Sequence, residues 1–247
     1  MKQKKRIIDF VPGGRRMLQA YRYAEEKRRI HAMGVEGVFA RIYEHNLWGS
    51  EESVSGPSAK LEYTQNIRKE IPRMIDRFGV KQILDAPCGD YNWLRFIERG
   101  KDTHYTGGDI VEALVINNQE KYGNDCTRFV HLDIRTDELP EADLWLCREC
   151  LQHLSNRDVF KVISNLLNSD IRYFLATTHT QCKMNKNIPT GNFRQLNLEL
   201  PPFSFCKPTL YIEDDWIGEG WAVRHLALWE KRQLSESLTS NKALRRI

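Results

Sequence analysis

Three aspartates close short strand-like runs in this chain of 247 residues, the first of them apolar. Asp85 ends Gln82-Ile83-Leu84, Asp109 ends His104-Tyr105-Thr106-Gly107-Gly108, and Asp133 ends Arg128-Phe129-Val130-His131-Leu132. Apolar runs of this length read as buried strands. A carboxylate accepts two hydrogen bonds at once, so Asp109 is placed to hold a vicinal diol such as the ribose of a nucleoside. Gly89, in Asp85-Ala86-Pro87-Cys88-Gly89-Asp90, predicts a tight turn at which the backbone can approach a ligand. Trp93-Leu94-Arg95-Phe96-Ile97 then predicts a helix start. A strand, a glycine turn and a helix N-terminus together form a nucleotide-binding edge.

Two histidines follow later apolar runs. His153 lies just past Ala142-Asp143-Leu144-Trp145-Leu146-Cys147, and His179 just past Ile171-Arg172-Tyr173-Phe174-Leu175-Ala176-Thr177. An imidazole titrating near neutral pH suits removal of a proton from an attacking oxygen. A lone histidine serves as readily in a core. Arg194 is placed either to fix an acidic or phosphorylated group bidentately or simply to be solvated. Cys147-x-x-Cys150 would need a second ligand pair or a thioredoxin-like context to be a metal or redox site, and neither is visible, so no metal is expected.

The elements that must position these groups alternate. Val111 to Lys121 and Asp158 to Leu167 are rich in helix formers, and Ser155 with Asp158 forms a helix-start cap. Leu61 to Phe78 predicts a helix before the first strand, with Ile67, Ile71, Met74, Ile75 and Phe78 inward and a kink at Pro72. Strands alternating with helices mean a parallel sheet. After the fifth strand, about thirty residues show no convincing helix, including Gly191-Asn192-Phe193-Arg194 and Leu200-Pro201-Pro202-Phe203. They predict a substrate loop. Leu210-Tyr211-Ile212 and Val223 to Trp229 would be closing hairpin-like strands, and the tail from Gln233 is a helix or disordered.

Asp85-Ala86-Pro87-Cys88-Gly89-Asp90, behind its apolar run, resembles motif I of the class I S-adenosylmethionine (SAM)-dependent methyltransferases. The acids at later strand ends follow in the family's order. The resemblance covers about Lys60 to Lys231. It implies an α/β, Rossmann-like, seven-stranded and mainly parallel sheet flanked by helices, its last strand antiparallel, behind a basic helical N-terminal extension. It divides the chain into an extension and cap loop at 1–59, the domain at 60–231 and a tail at 232–247. It implies SAM across the ends of the first two strands. Asp85 would orient the methionine part and Asp109 the ribose. Asp133 would face the adenine amino group or cap a helix. Asp90 would meet the ammonium or cap a helix. Pro87, Gly89, Ile110, Ile134 and Arg148 complete the expected cofactor contacts, and Trp48 and Arg194 the substrate contacts. The Asn/Asp-Pro-Pro-aromatic motif of amino-base methylases and the double-Glu hairpin of protein arginine methyltransferases are missing. The chain looks more like the small-molecule and sugar-modifying branch, and like bacterial members with the same Trp-Gly-Ser start. O-methylation of a sugar, glycan or other small metabolite is the function implied, with His153 or His179 as base. NAD, the competing ligand, is disfavoured by the missing G-x-G-x-x-G.

Charge leaves two further readings open. Residues 1–33 hold 10 Lys/Arg and 3 Asp/Glu, whereas the remainder holds 27 and 30. Arg15 to His31 reads as a basic helix with Met17, Tyr21, Ala24 and Ile30 on or near one face. It is either a solvated helix packed by a narrow stripe or a docking surface for an anionic partner or membrane phosphates. A nucleic-acid or protein methyltransferase would dock through it; a SAM-binding module without catalysis is the third reading. No apolar run reaches the length of a membrane span, and Ile7-Ile8 is too short for a signal peptide. Six cysteines without regular spacing suit a reducing, cytoplasmic setting. Nothing in the sequence fixes an oligomeric state.

Overall fold

The structure, a computed structural model, describes residues 14–215 and 223–238. Seven strands form one sheet: β1 (Gln82–Asp85), β2 (His104–Asp109), β3 (Thr127–His131), β4 (Leu144–Cys147), β5 (Tyr173–Thr178), β6 (Leu210–Glu213) and β7 (His225–Glu230). Their order is β3-β2-β1-β4-β5-β7-β6. β1 pairs parallel with β2 and β4, β2 with β3, and β4 with β5, while β7 runs antiparallel between β5 and β6. The mainly parallel sheet expected from the sequence is present, with the last strand antiparallel.

Parallel strands covered on both faces read as continuous apolar runs. β4 and β5 are buried along their whole length. Alternate side chains feed two cores. Leu84, Trp145, Phe174 and Trp229 face one, with Val159, Ile163 and Leu166 of α4 (Asn156–Asn168) and Leu234 and Leu238 of α5 (Lys231–Leu238). Ile83, Leu144, Leu146 and Leu175 face the other, with Ile67, Ile71, Met74 and Ile75 of α2 (Gln65–Phe78). α2 accommodates Pro72 and stops at Gly79, which is left-handed at φ 63°. α4 starts at Ser155, whose hydroxyl accepts the Asp158 N–H. α3 (Glu112–Tyr122) joins β2 to β3.

Strand order reverses at β1, which has β2 on one side and β4 on the other. Ligands of open α/β sheets bind in the crevice outside the carboxyl ends at such a point. One local expectation fails beside it. The helix predicted from Trp93 is a single 3-10 turn, Leu94–Phe96. Tyr91, at φ 57°, turns the chain out of helical geometry, and Trp93, Leu94 and Ile97 are instead buried singly in the core. No helix N-terminus therefore serves the Gly89 turn.

The N-terminal helix α1 spans Gly14–Glu44, longer than the sequence predicts, and is broken at Gly34 by extended, positive-φ backbone (φ 69°, ψ 170°). Tyr21 and Ala24 are exposed and Ile30 is half-buried, so the expected packing stripe is not formed by these three. The basic residues before Gly14 and the side chain of Met17 lie outside the described residues. No helix among the described residues is long and apolar enough to cross a membrane.

Candidate active site

A narrow cavity sits at the carboxyl ends of β1 and β2. Six residues that the sequence singles out as cofactor contacts, Pro87, Gly89, Asp109, Ile110, Asp133 and Ile134, line it. Asp109 accepts the Gly89 N–H (3.1 Å) on one oxygen and the Val111 N–H (3.0 Å) on the other. These bonds fix the carboxylate and leave it lone pairs for a ligand diol. Burial raises the Asp109 pKa, against these hydrogen bonds. Apolar side chains of Val111, Leu114 and Leu132 form walls suited to a flat base. Residues Val35, Phe39 and Tyr43, four apart on the second half of α1, cover it. That cover was not legible in the sequence reading, although the spacing of the three is its signal.

Four predicted residues stand elsewhere. Asp85 is buried beneath the turn, accepts the Tyr105 hydroxyl (2.8 Å) and does not line the cavity. Burial pushes its carboxyl up to about 7. Asp90 also lies off the cavity. Its oxygens accept from the Ser53 hydroxyl (2.9 Å), the Val54 N–H (3.0 Å) and the Ser55 hydroxyl (3.0 Å), so it anchors the loop that carries Val54 and Ser55 into the site. Arg148 makes no direct contact with the cavity because Asp214 takes its guanidinium twice (2.9 Å each) and the Ser58 carbonyl takes it once (2.8 Å). Arg194 is 6% exposed and lines neither this cavity nor the wider one beside it. Its N–H binds the Gln152 carbonyl (3.2 Å), and its neighbours Phe193 and Gln195 take the cavity wall instead. Burial pushes the Arg194 pKa down to about 10. Asp133 does line the cavity, but Arg135 already engages both its oxygens (2.9 and 2.5 Å).

A second, wider cavity opens beside the first. Trp48, Ser55, Glu149 and His153 border both. His179, Ser58, Asn192, Phe193, Gln195 and Arg224 complete much of its wall. The His153 ring packs between Trp48 and Phe193, at 5.6 Å from each, with Nδ1 on the Asn192 carbonyl (3.1 Å). The His179 Nδ1 lies against Leu196 backbone (3.3 Å to its carbonyl). Burial lowers both imidazole pKa values, and nearby Glu149 offsets this only in part.

Glu149 is the residue missed from sequence. It stands two places past β4 with left-handed backbone, φ 54°, a strained conformation for a side chain of this size. Its N–H is held by the Thr177 hydroxyl (2.9 Å) and its Oε2 by Arg224 (2.9 Å), while its buried Oε1 has no hydrogen-bond partner. Arg224 also pairs with Asp214 (2.9 Å).

The fold is similar to that of solved methyltransferases. The 1,6-didemethyltoxoflavin-N1-methyltransferase of Burkholderia thailandensis, solved with its namesake compound and S-adenosylhomocysteine (SAH), is 16% identical at a TM-score of 0.57, over 82% of this chain and 89% of that one. The magnesium protoporphyrin IX methyltransferase of Synechocystis PCC 6803, solved with SAH, is 14% identical at 0.53, over 76% and 92%. The N-methyltransferase NodS of Bradyrhizobium japonicum WM9 is 12% identical at 0.51, over 68% and 96%. No protein-family model matches the chain, and no curated protein matches it in sequence. The chain thus has the fold of the class I SAM-dependent methyltransferases.

Proposed function

We propose that this protein is a SAM-dependent methyltransferase that methylates a hydroxyl of a small, neutral, polyhydroxylated acceptor such as a sugar or glycan. The observation that carries the reading is the pair of joined cavities: one built on Asp109 at the β2 end, the other lined by hydrogen-bonding and aromatic side chains. Solved proteins of the same fold that are methyltransferases with SAH in the site support the choice of cofactor. SAM supplies a methyl group on a sulfonium sulfur. Asp109 would bind the ribose hydroxyls, the apolar walls the adenine, and Val35, Phe39 and Tyr43 would exclude water. Most of the rate would come from positioning.

The second cavity favours a neutral acceptor. Trp48 and Phe193 offer faces for stacking, and Ser55, Ser58, Asn192 and Gln195 offer hydrogen bonds. Arg224 is the cation among the described lining residues, and Asp214 and Glu149 already engage it. An anionic acceptor would find no free partner there.

Asp109→Ala should weaken SAM by tenfold or more in titration calorimetry, as a charge-assisted bond contributes about 1.5–3 kcal/mol. Unchanged affinity, or a larger thermal shift with NAD than with SAM, would sink the cofactor reading. Incubation with tritiated SAM and cell extract should label a neutral carbohydrate or metabolite fraction. Label confined to RNA or protein would favour docking through the basic N-terminus instead, and deletion of residues 1–33 would then abolish it.

A further inference from the structure

The structure assigns Glu149 as the catalytic base, in place of either histidine, for a hydroxyl of the acceptor; this rests on the methyltransferase reading above. Three groups on the second cavity wall can take a proton: Glu149, His153 and His179. The His179 Nδ1 accepts the Leu196 N–H (3.2 Å), so its proton sits on Nε2 and leaves no free lone pair, and the His153 ring is packed between two aromatic side chains with Nδ1 on the Asn192 carbonyl (3.1 Å). The Glu149 Oε1 is buried and has no hydrogen-bond partner. A buried carboxylate oxygen without a partner is costly unless a ligand completes it. Glu149 also borders both cavities, so the residue stands between the side that would hold a methyl donor and the side that would hold an acceptor, and a small turn of its carboxylate would bring the buried Oε1 to the acceptor.

The residue is held there at some cost. Positive φ in a glutamate persists only where the surroundings over-determine it, and such residues gather at functional sites. Here Thr177 fixes the backbone and Arg224 fixes Oε2, and Arg224 is itself braced by Asp214 between it and Arg148. The Arg148–Asp214–Arg224–Glu149 chain is a rigid mount with two cations and two anions, and Oε1 is its free end.

In the step this implies, the acceptor O–H bond breaks and its proton passes to Oε1. The oxygen electron pair forms the bond to the methyl carbon. The carbon–sulfur bond breaks with its pair left on sulfur, and the sulfonium becomes a neutral thioether. Glu149 then returns the proton to solvent.

Glu149→Gln tests this, because the amide keeps the size of the side chain and an oxygen for Arg224. The probe is the extract fraction that wild-type protein labels from tritiated SAM. Two quantities are read: transfer of tritium into that fraction, and the thermal shift that the unlabelled fraction produces on SAH-loaded protein. The variant should bind SAH within about threefold of wild type, transfer label about 100-fold or more slowly, and show a smaller thermal shift. Transfer within tenfold of wild type, or an unchanged shift, overturns the assignment while leaving the methyltransferase reading intact. If wild type binds SAH and labels no fraction, both fall together. Should the glutamine variant lose SAH binding, Glu149→Asp replaces it: the retained carboxylate should keep more activity than Glu149→Ala, and equal losses overturn the assignment.

Discussion

On the β1–β2 side of the sheet, two buried carboxylates, Asp85 and Asp109, form no ion pair among the described residues and accept hydrogen bonds: a tyrosine hydroxyl for one, two backbone N–H groups for the other. Burial raises both pKa values. On the β4–β7 side the buried carboxylate Asp214 lies between Arg148 and Arg224, which outweigh its burial and hold its carboxyl below the usual range. In the first arrangement Asp109 lines the cavity and keeps lone pairs for a ligand to complete, while Asp85 stays buried beneath the turn. The second spends its charges on one another and leaves one buried oxygen, on Glu149, without a partner. The β1–β2 half is therefore a receptive site, and the β4–β7 half a braced one.

The largest effect should come from removing the brace. Asp214→Ala leaves two buried guanidinium groups facing each other, and breaking a buried pair in this way costs about 3–5 kcal/mol. Urea unfolding should show the loss as a lower midpoint. A loss below about 1 kcal/mol would mean that solvent reaches the network and that the contrast between the halves is not real.

Next in size is Asp85, where the contrast predicts the opposite sign. Its folded pKa lies near 7 against 3.8 for the free group. Below pH 4 the carboxyl is protonated in both states and carries no penalty. Between about pH 4 and 7 the folded state holds the extra proton, so stability falls as pH rises, and above 7 the penalty is complete. At 1.36 kcal/mol per unit, it reaches up to about 4 kcal/mol. Asp85→Asn keeps an oxygen for the Tyr105 hydroxyl. It should be more stable than wild type at pH 8 and equal to it at pH 4 in denaturant unfolding. No gain at pH 8 would show that Asp85 is charged and compensated in the fold.

The two halves also differed in how far they could be read from sequence. β4 and β5 were legible because strands buried on both faces read as unbroken apolar runs, whereas β2 and β3 carry polar residues and were marked by the acids Asp109 and Asp133 at or just past their ends. The β4–β7 half depends on pairings between distant residues: Arg148 meets Asp214 66 positions on, and Glu149 meets Arg224 75 positions on. No local pattern announces such a pair, so Arg148 read as a cofactor ligand and Glu149 did not stand out. The backbone conformations of Tyr91 and Glu149 were equally silent, since a positive φ outside glycine leaves no sequence signature. The α1 cover was obscured by Gly34 and Gly37, which interrupt the helical pattern just before Phe39 and Tyr43.

The smallest expected effect probes the seam between motif and cover loop. Gly89 has φ 56°, and a Cβ there would fall 2.1 Å from the Ser55 Oγ. That hydroxyl accepts the Asp90 N–H (2.9 Å) and donates to the Asp90 carboxylate (3.0 Å), which ties the loop to the turn. Gly89→Ala therefore meets two separate penalties. Left-handed backbone costs a residue with a Cβ about 1–2 kcal/mol, and displacement of Ser55 undoes the clamp. Ser55→Gly in the same chain removes the collision but not the backbone cost. In a double-mutant cycle the pair should lose less than the two single variants summed, and SAH affinity should recover in part in the double variant. Strict additivity would show that the loop yields freely, and that Asp109, not the loop held by Asp90, sets the shape of the β1–β2 half.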